Sequence, residues 1–455
     1  SLLNSGAYGT HALTVLSNCG AKVLPLFNKI ENMRFIGRSV YTNLPVGGAY
    51  RGYGATQGYF ALNQQLDIIA RRLNIDLLDY IKKNHIRVGE TSQVFKALGE
   101  GTEGVTQIVN SCKLDECIDI GAKEIGWYDK RDKQITNGDK VRGVGLAVAM
   151  QGSGIPLIDM AAAYMKMNDD GSFNLDIGAT DIGTGSDTVL AQIAAEVLGV
   201  ELDKMIVLSS DTDRTPFDVG AYASSTTYVS GAAVKKCAEK ISEQILDVAA
   251  EIMKADKNDL ELSDGRVNDR KNNKCISLSD VAVYALYTEN QFQIQAGASQ
   301  IVEQSPPPFI AQFVEVEVDR KTGKVDVIKF VSAVDCGQAL NPILAEGQID
   351  GAVVNGICYA LTEQYKFSAN GNLLTKHFRD YKIWTAADLP EIKTIIVDSH
   401  EESGPFGAKS VGEIGINGPM PAIANAIYDA VGVRLFEAPF TPAKVYREME
   451  RTGKP

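Results

Sequence analysis

The sequence predicts a soluble globular protein of two or more domains that mixes strands with helices, and three observations carry that expectation. At 455 residues the chain is longer than a single ordinary hydrophobic core accommodates before chains divide into domains. Its 45% hydrophobic and 22% charged residues are those of globular proteins, and no apolar run approaches the ~20 residues a membrane helix needs. Finally, stretches with the alternation of strands stand beside stretches with the i, i+3, i+4 spacing of amphipathic helices, punctuated by Gly and Asn.

From the N-terminus, Ser1 to Arg38 carries short apolar stretches, His11 to Leu16 and Ala21 to Leu26, which suit strands and turns continuing an element that began upstream. A Gly-rich loop, Leu44 to Gly58, leads into the amphipathic pattern Ala61, Leu62, Leu66, Ile68, Ile69, Leu73, and Asn74 suits a left-handed C-terminal cap. Asp79 to Lys83 begins another helix, and Gly99 to Gly121 reads as loop plus helix. The polar segment Tyr128 to Lys140 is the candidate boundary, dividing the chain into domains 1–135 and 136–455. Strands are expected over Gly143 to Met150, Met160 to Met167 and Ser172 to Ile177, then helices over Val189 to Leu198 and Val229 to about Met253. Asn258 to Asp280 is polar and peripheral. Phe309 to Val334 reads as a hairpin turning at Arg320 to Lys324, Asn341 to Glu363 as a Gly-punctuated helix, and Met420 to Val431 as an apolar helix.

Four times a loop of small residues runs into a helix: after Gly58, after Gly185, after Ser224-Ser225-Thr226 and after Gly418. Helix N-termini leave backbone N–H groups unpaired and partly positive, and small residues let an anion reach them. If the four starts converge, they would bind a ligand carrying a phosphate or pyrophosphate group. For any one loop the competing reading is side-chain capping, by Ser186, Asp187 and Thr188 or by Ser224 to Thr226. A dinucleotide fingerprint at Gly183-Thr184-Gly185 is discounted, because a correctly spaced third Gly and the acidic residue ~20 positions later are missing. The last loop, Gly404 to Pro419, places five glycines around one carboxylate, Glu413, between Val411 and Ile414. A carboxylate in a dry, shaped hole is suited to general-base work near neutral pH, against the competing reading of a solvated glutamate in a surface turn.

The net charge of -12, from Lys+Arg 45 and Asp+Glu 57, opposes binding to nucleic acid. The seven cysteines are scattered, with no Cys-x-x-Cys pair, and the four histidines are far apart in sequence. No disulfide framework, zinc site or iron–sulfur site is therefore expected, no protein side chain is a candidate metal ligand, and reduced thiols suit a cytoplasmic location. Because residue 1 is Ser, the chain is read as a fragment, a processed product or one piece of a divided polypeptide.

Five motifs, in order, resemble those of the molybdenum subunit of the xanthine dehydrogenase and aldehyde oxidase family: Ala49-Tyr50-Arg51-Gly52-Tyr53-Gly54-Ala55-Thr56-Gln57-Gly58, Asp181-Ile182-Gly183-Thr184-Gly185, Ala223-Ser224-Ser225-Thr226, Gly347-Gln348-Ile349-Asp350-Gly351 and Val411-Gly412-Glu413. The resemblance covers essentially the whole chain. It implies an α+β fold of two elongated molybdopterin-binding domains, the first incomplete, and a molybdopterin cofactor, its cytosine dinucleotide form included, whose metal no side chain ligates. Glu413 would be the general base. Arg51 and Gly52 would offer main chain to the cofactor, and Arg51 and Tyr53 would meet the substrate, the Tyr53 ring by stacking. Ile182, Gly183, Thr184, Ala223, Ser224, Ser225, Thr226 and Gln348 would hold the pterin and its phosphate tail.

Two residues depart from the pattern: Thr184 stands where the family often has Gln, and Tyr53 where Phe is more usual. The implied partners are a small-molecule substrate, the missing N-terminal portion of the molybdenum subunit, and chains carrying iron–sulfur clusters and FAD, with neither nucleic acid nor membrane involved. The expected activity is oxidative hydroxylation of a purine or related N-heterocycle, against an aldehyde or a nicotinate-type substrate and, in another class, a cofactor-free scaffold.

Overall fold

The computed structural model describes residues 1–288 and 291–453. Two compact units form: Ser1–Gly152 with Pro306–Ser399 and Val411–Pro455, and Ser153–Ser305 with His400–Ser410. Both mix sheet and helix, the α+β architecture expected.

The first unit is built on a five-stranded sheet in the order Glu391–Ile396, Val325–Asp335, Phe309–Asp319, Lys140–Met150, Ile135–Asn137. The expected hairpin is its centre, with Phe309 opposite Asp335 and Val318 opposite Val325. Phe309, Phe313, Val314, Val316, Phe330 and Val331 are buried, so this pair is covered on both faces. Helix Pro419–Val431 lies directly on strand Lys140–Met150, and glycine allows it: a Cβ at Gly145 would meet Ala422 O at 2.1 Å, and one at Gly143 would meet Ala430 N at 2.4 Å. Gly145→Ala forces backbone apart and is expected to cost about 1–3 kcal/mol. A thermal unfolding midpoint equal to wild type would contradict it.

Beyond Arg142 no strand among the described residues pairs with the outer edge of Lys140–Met150. Side chains take over that ladder at every second residue. Val144 N–H donates to Asp429 Oδ2 at 2.9 Å and Val144 O accepts from Arg131 Nη1 at 2.8 Å. Leu146 O accepts from Asn425 Nδ2 at 3.1 Å. Val148 exchanges two bonds with the Asn63 amide at 2.9 and 3.1 Å, and Met150 N–H donates to the Tyr59 hydroxyl at 2.9 Å. Buried main-chain groups must be paired, so these polar residues sit in the core as substitutes for a missing strand. They also fix where the strand ends and Gln151 begins.

Ser1 to Arg38 departs from expectation. Leu2–Asn4 and Arg38–Val40 do pair, in parallel, but Ala12–Ala21 is a helix. Ala12, Val15 and Leu16 line its buried side at helical spacing, a pattern too short to outweigh Thr and Val, which favour strands. The helix after the first Gly-rich loop starts at Ala55 rather than beyond Gly58. Gly58 lies inside it because a Cβ there would sit 2.3 Å from Cys19 O, so this glycine is a contact between two helices. Asn74 takes the expected left-handed cap, at φ 53°.

In the second unit a four-stranded sheet runs Gln295–Ile301, Met160–Met167, Phe173–Ile177, Met205–Ser209, the last pair parallel. Helices Ser186–Leu198 and Thr226–Met253 pack together; Gly231 lies against Ile193 and Leu190, so the two helices start toward the same end. The polar stretch after Asn258 forms a small three-stranded antiparallel sheet. Among the described residues no helix is long and apolar enough to cross a membrane.

Candidate active site

The first unit brings Arg51, Gly52, Gln348 and Glu413 together from segments far apart in sequence. Three successive residues ahead of helix Ala55–Leu73 have positive φ: Gly52 at 90°, Tyr53 at 44° and Gly54 at 90°. A Cβ at Gly54 would lie 2.0 Å from Val15 O, so only glycine fits the turn where it crosses helix Ala12–Ala21. The turn aims the Gly52 N–H at Glu413 Oε1, 3.1 Å away. Glu413 Oε2 accepts from Gln151 Nε2 at 3.0 Å, and Gln151 Oε1 accepts from Asn417 Nδ2 at 3.0 Å. Glu413 is half-buried, not a solvated glutamate in a surface turn.

The segment below the carboxylate is braced on two sides. Gln312, on the central strand, donates to Gly415 O at 2.8 Å and to Ser332 Oγ at 3.1 Å. Tyr359, on helix Pro342–Leu361, donates to Ile416 O at 2.9 Å. Gly418 is required because a Cβ there would press on Gln312 Oε1 at 2.2 Å.

The Arg51 guanidinium closes the arrangement. Nε donates to Gly412 O at 2.6 Å, and Nη2 donates to Gln348 O and Oε1 at 3.0 and 3.2 Å. Burial pulls the guanidinium below its usual value while the Glu413 charge pulls it up, and it remains a cation. The side chain is committed to tying three segments together. The Tyr53 hydroxyl meets Thr14 Oγ1 at 2.6 Å and His11 Nδ1 at 2.8 Å. Burial raises this phenol, with Glu100 and Glu413 adding to the shift, so it stays neutral.

The remaining candidates lie in the second unit. Asp181 Oδ1 accepts from the N–H groups of Gly183 and Thr184 at 2.9 Å and Gly185 at 3.2 Å. Burial pushes this carboxyl up, but the amides of Gly183, Gly185 and Thr184 outweigh it and hold it below the usual range. Those amides are therefore spent on Asp181, while Thr184 Oγ1 and Ser186 Oγ are buried without a hydrogen-bond partner. Ile182 is exposed. In the other loop Ala223 and Ser224 have φ 52° and 60°, and Ser225 Oγ donates to Tyr222 O at 2.8 Å. Neither helix start is capped by Ser186, Asp187 and Thr188 or by Ser224 to Thr226; at the first of them the Asp181 carboxylate also takes the Asp187 N–H. The Asp181 carboxylate already holds the start of helix Ser186–Leu198, so the features that fit an oxygen-rich group such as a pterin with its tail are the two orphaned hydroxyls and the start at Thr226.

Gln151, Asn417, Gln312 and Asp181 escaped the sequence reading. The first three carry no local signal. Asp181, two residues before Gly183, has the spacing of an Asx turn and was open to being read.

Two family models, each described as a molybdopterin cofactor-binding domain, match residues 121–390 and 1–85. The probable hypoxanthine oxidase XdhD of Escherichia coli (strain K12) is 39% identical over 98% of this chain and 46% of its own length. The putative xanthine dehydrogenase molybdenum-binding subunit XdhA of the same strain is 35% identical over 99% of this chain and 60% of its own. Quinoline 2-oxidoreductase from Pseudomonas putida 86 superposes with a TM-score of 0.90 at 23% identity, covering 100% of this chain and 59% of that one; at that identity the likeness is one of fold. The chain thus spans about half the length of the relatives it matches. With the motifs in order, one family model over residues 121–390 and a relative 39% identical over 98% of this chain, it belongs to the molybdopterin cofactor-binding family of xanthine dehydrogenase and aldehyde oxidase molybdenum subunits.

Proposed function

We propose that the chain carries the general base of a molybdenum hydroxylase that hydroxylates a purine of the xanthine or hypoxanthine kind, or a related N-heterocycle, with water as oxygen source. The observation that carries this reading is the Glu413 carboxylate held by the Gly52 N–H and Gln151 Nε2 beside the Arg51 tie. Molybdopterin, when bound, supplies the two-electron acceptor and the site at which water oxygen is activated. Glu413 takes the proton released as the carbon–oxygen bond forms, a job for a positioned carboxylate. Arg51 and Gly52 present main chain at the metal end, and Tyr53 presents its ring to the heterocycle. Gln348, Ile182, Gly183, Thr184 and Ala223 to Thr226 hold the pterin and its tail, Thr184 and Ser186 through their hydroxyls.

In this reading 1–135 is the end of a first cofactor-binding domain and 136–455 a second. The rest of the molybdenum subunit lies upstream, iron–sulfur and FAD chains carry two electrons away, and the complex works in the cytoplasm. The purine preference draws on relatives described as a probable hypoxanthine oxidase and a xanthine dehydrogenase subunit. Metal and pterin analysis of the complete complex, with steady-state rates on hypoxanthine, xanthine, nicotinate and an aromatic aldehyde, tests it. Stoichiometric molybdenum and the highest kcat/KM on a purine are expected. A complex without molybdenum would instead be a scaffold, and turnover of the aldehyde alone would end the purine assignment.

A further inference from the structure

We propose that Gln151 and Asn417 act as a positioning pair for Glu413: Gln151 holds the carboxylate oxygen Oε2, and Asn417 decides which end of the Gln151 amide faces it. This rests on Glu413 being the base. Gln151 is the first residue past strand Lys140–Met150, and its side chain is 2% exposed. A carboxamide has a donor end and an acceptor end, and which one faces a neighbour is set by whatever holds the other. Asn417, fully buried, donates from Nδ2 to Gln151 Oε1 at 3.0 Å, so Gln151 Nε2 is turned toward Glu413 Oε2 at 3.0 Å. Were the amide reversed, two acceptor oxygens would face each other across that distance.

The consequence is chemical as well as geometric. A donor to the ionised form of a carboxyl favours that form. Gly52 N–H holds Oε1 from the other side, so the plane of the carboxylate is fixed by two donors. Two side chains from the segment before helix Ala55–Leu73 act electrostatically on Glu413: Arg51, a cation throughout, and Tyr53, neutral throughout. Just past strand Lys140–Met150 and in the 413–417 turn stand the neutral amides of Gln151 and Asn417. The pair therefore tunes the base without adding charge, and leaves the substrate to be bound by other groups.

In the complete complex Gln151→Met keeps side-chain length and removes the donor. The acid limb of its kcat profile is expected to move up by about one pH unit, with KM and molybdenum content unchanged. Asn417→Leu frees the Gln151 amide to turn and moves the limb the same way by less; it serves as the second variant if the first does not fold. The protonated-carboxyl C=O stretch, assigned by its loss on adding Glu413→Gln, is followed by infrared titration and needs no turnover. The band grows in at higher pH in either variant than in wild type. An unmoved band, or a fall in kcat that is equal at all pH, overturns the positioning pair and leaves the assignment of Glu413 standing. Wild-type complex that takes up no molybdenum ends the functional reading, while the infrared titration still decides the pair.

Discussion

Replacing Glu413 with Gln in the complete complex lowers kcat/KM by about 10²–10⁴-fold and leaves molybdenum and pterin at wild-type content. The loss follows from chemistry, since a carboxamide cannot accept the proton that a carboxylate takes. The retained cofactor follows from geometry, since the carboxylate's hydrogen bonds run inward, to Gly52 N–H and Gln151 Nε2. The new carboxamide offers one acceptor, which the rigid Gly52 amide claims, and its NH₂ then meets Gln151. Presenting an acceptor to that NH₂ requires Gln151 and Asn417 both to turn over, a local rearrangement confined to this pair. Substitution by Ala removes the side chain and with it both inward bonds, so its rate loss comes with a fall in thermal midpoint. Turnover within about threefold of wild type in either variant would remove Glu413 from the reaction. Loss of molybdenum along with the rate would instead make Glu413 part of the cofactor cradle.

Much of this site was legible because glycine reports on backbone geometry directly. The first two of the glycine-rich loops turn through positive φ, near 90° at Gly52, Gly54 and Gly183, whereas Gly418 in the last loop has φ −98°. Glu413 stood out as the one carboxylate among five glycines. Gly58 misled, since glycine also serves where two helices touch, and the sequence does not separate a bare loop from a close contact. The residues that hold Glu413 were not legible at all. Gln151 meets its carboxylate across 262 positions in the chain, and an isolated Gln after a strand looks like any other. Periodicity cannot identify partners that only the tertiary fold brings together. The same limit hid the side-chain ladder of Asn63, Asn425 and Asp429 along the open strand edge, where polar residues inside helical patterns read as exposed faces.

Asp67→Asn is expected to cost about 3–5 kcal/mol of stability, the penalty for breaking a buried ion network from one side. Asp67 is fully buried on helix Ala55–Leu73 and is met by three guanidiniums, those of Arg131, Arg434 and Arg71, the last at 3.1 Å. Arg71 and Arg131 also reach Asp429, at 3.0 and 3.6 Å, and Arg71 reaches Asp132. Three cations thus face three anions, and the substitution leaves one positive charge uncompensated in the core. The effect spreads because Asp429 and Arg131 also cap Val144 on the open strand edge. Its pH dependence has a definite sign. Burial raises the Asp67 carboxyl, but Arg131, Arg434 and Arg71 prevail and the net shift is downward. Its stabilisation is complete above the unfolded carboxylate value of about 3.9 and is lost as pH falls through the depressed folded value. Asp429 behaves oppositely: burial, with Asp132 nearby, holds its carboxyl up, so its charge is a cost that protonation relieves as pH falls. The gap in unfolding free energy between wild type and the Asn variant should therefore be flat at neutral pH and close only at strongly acidic pH. A gap that closes already near neutrality, or one below about 1 kcal/mol at pH 7, would mean that solvent reaches the network and screens it.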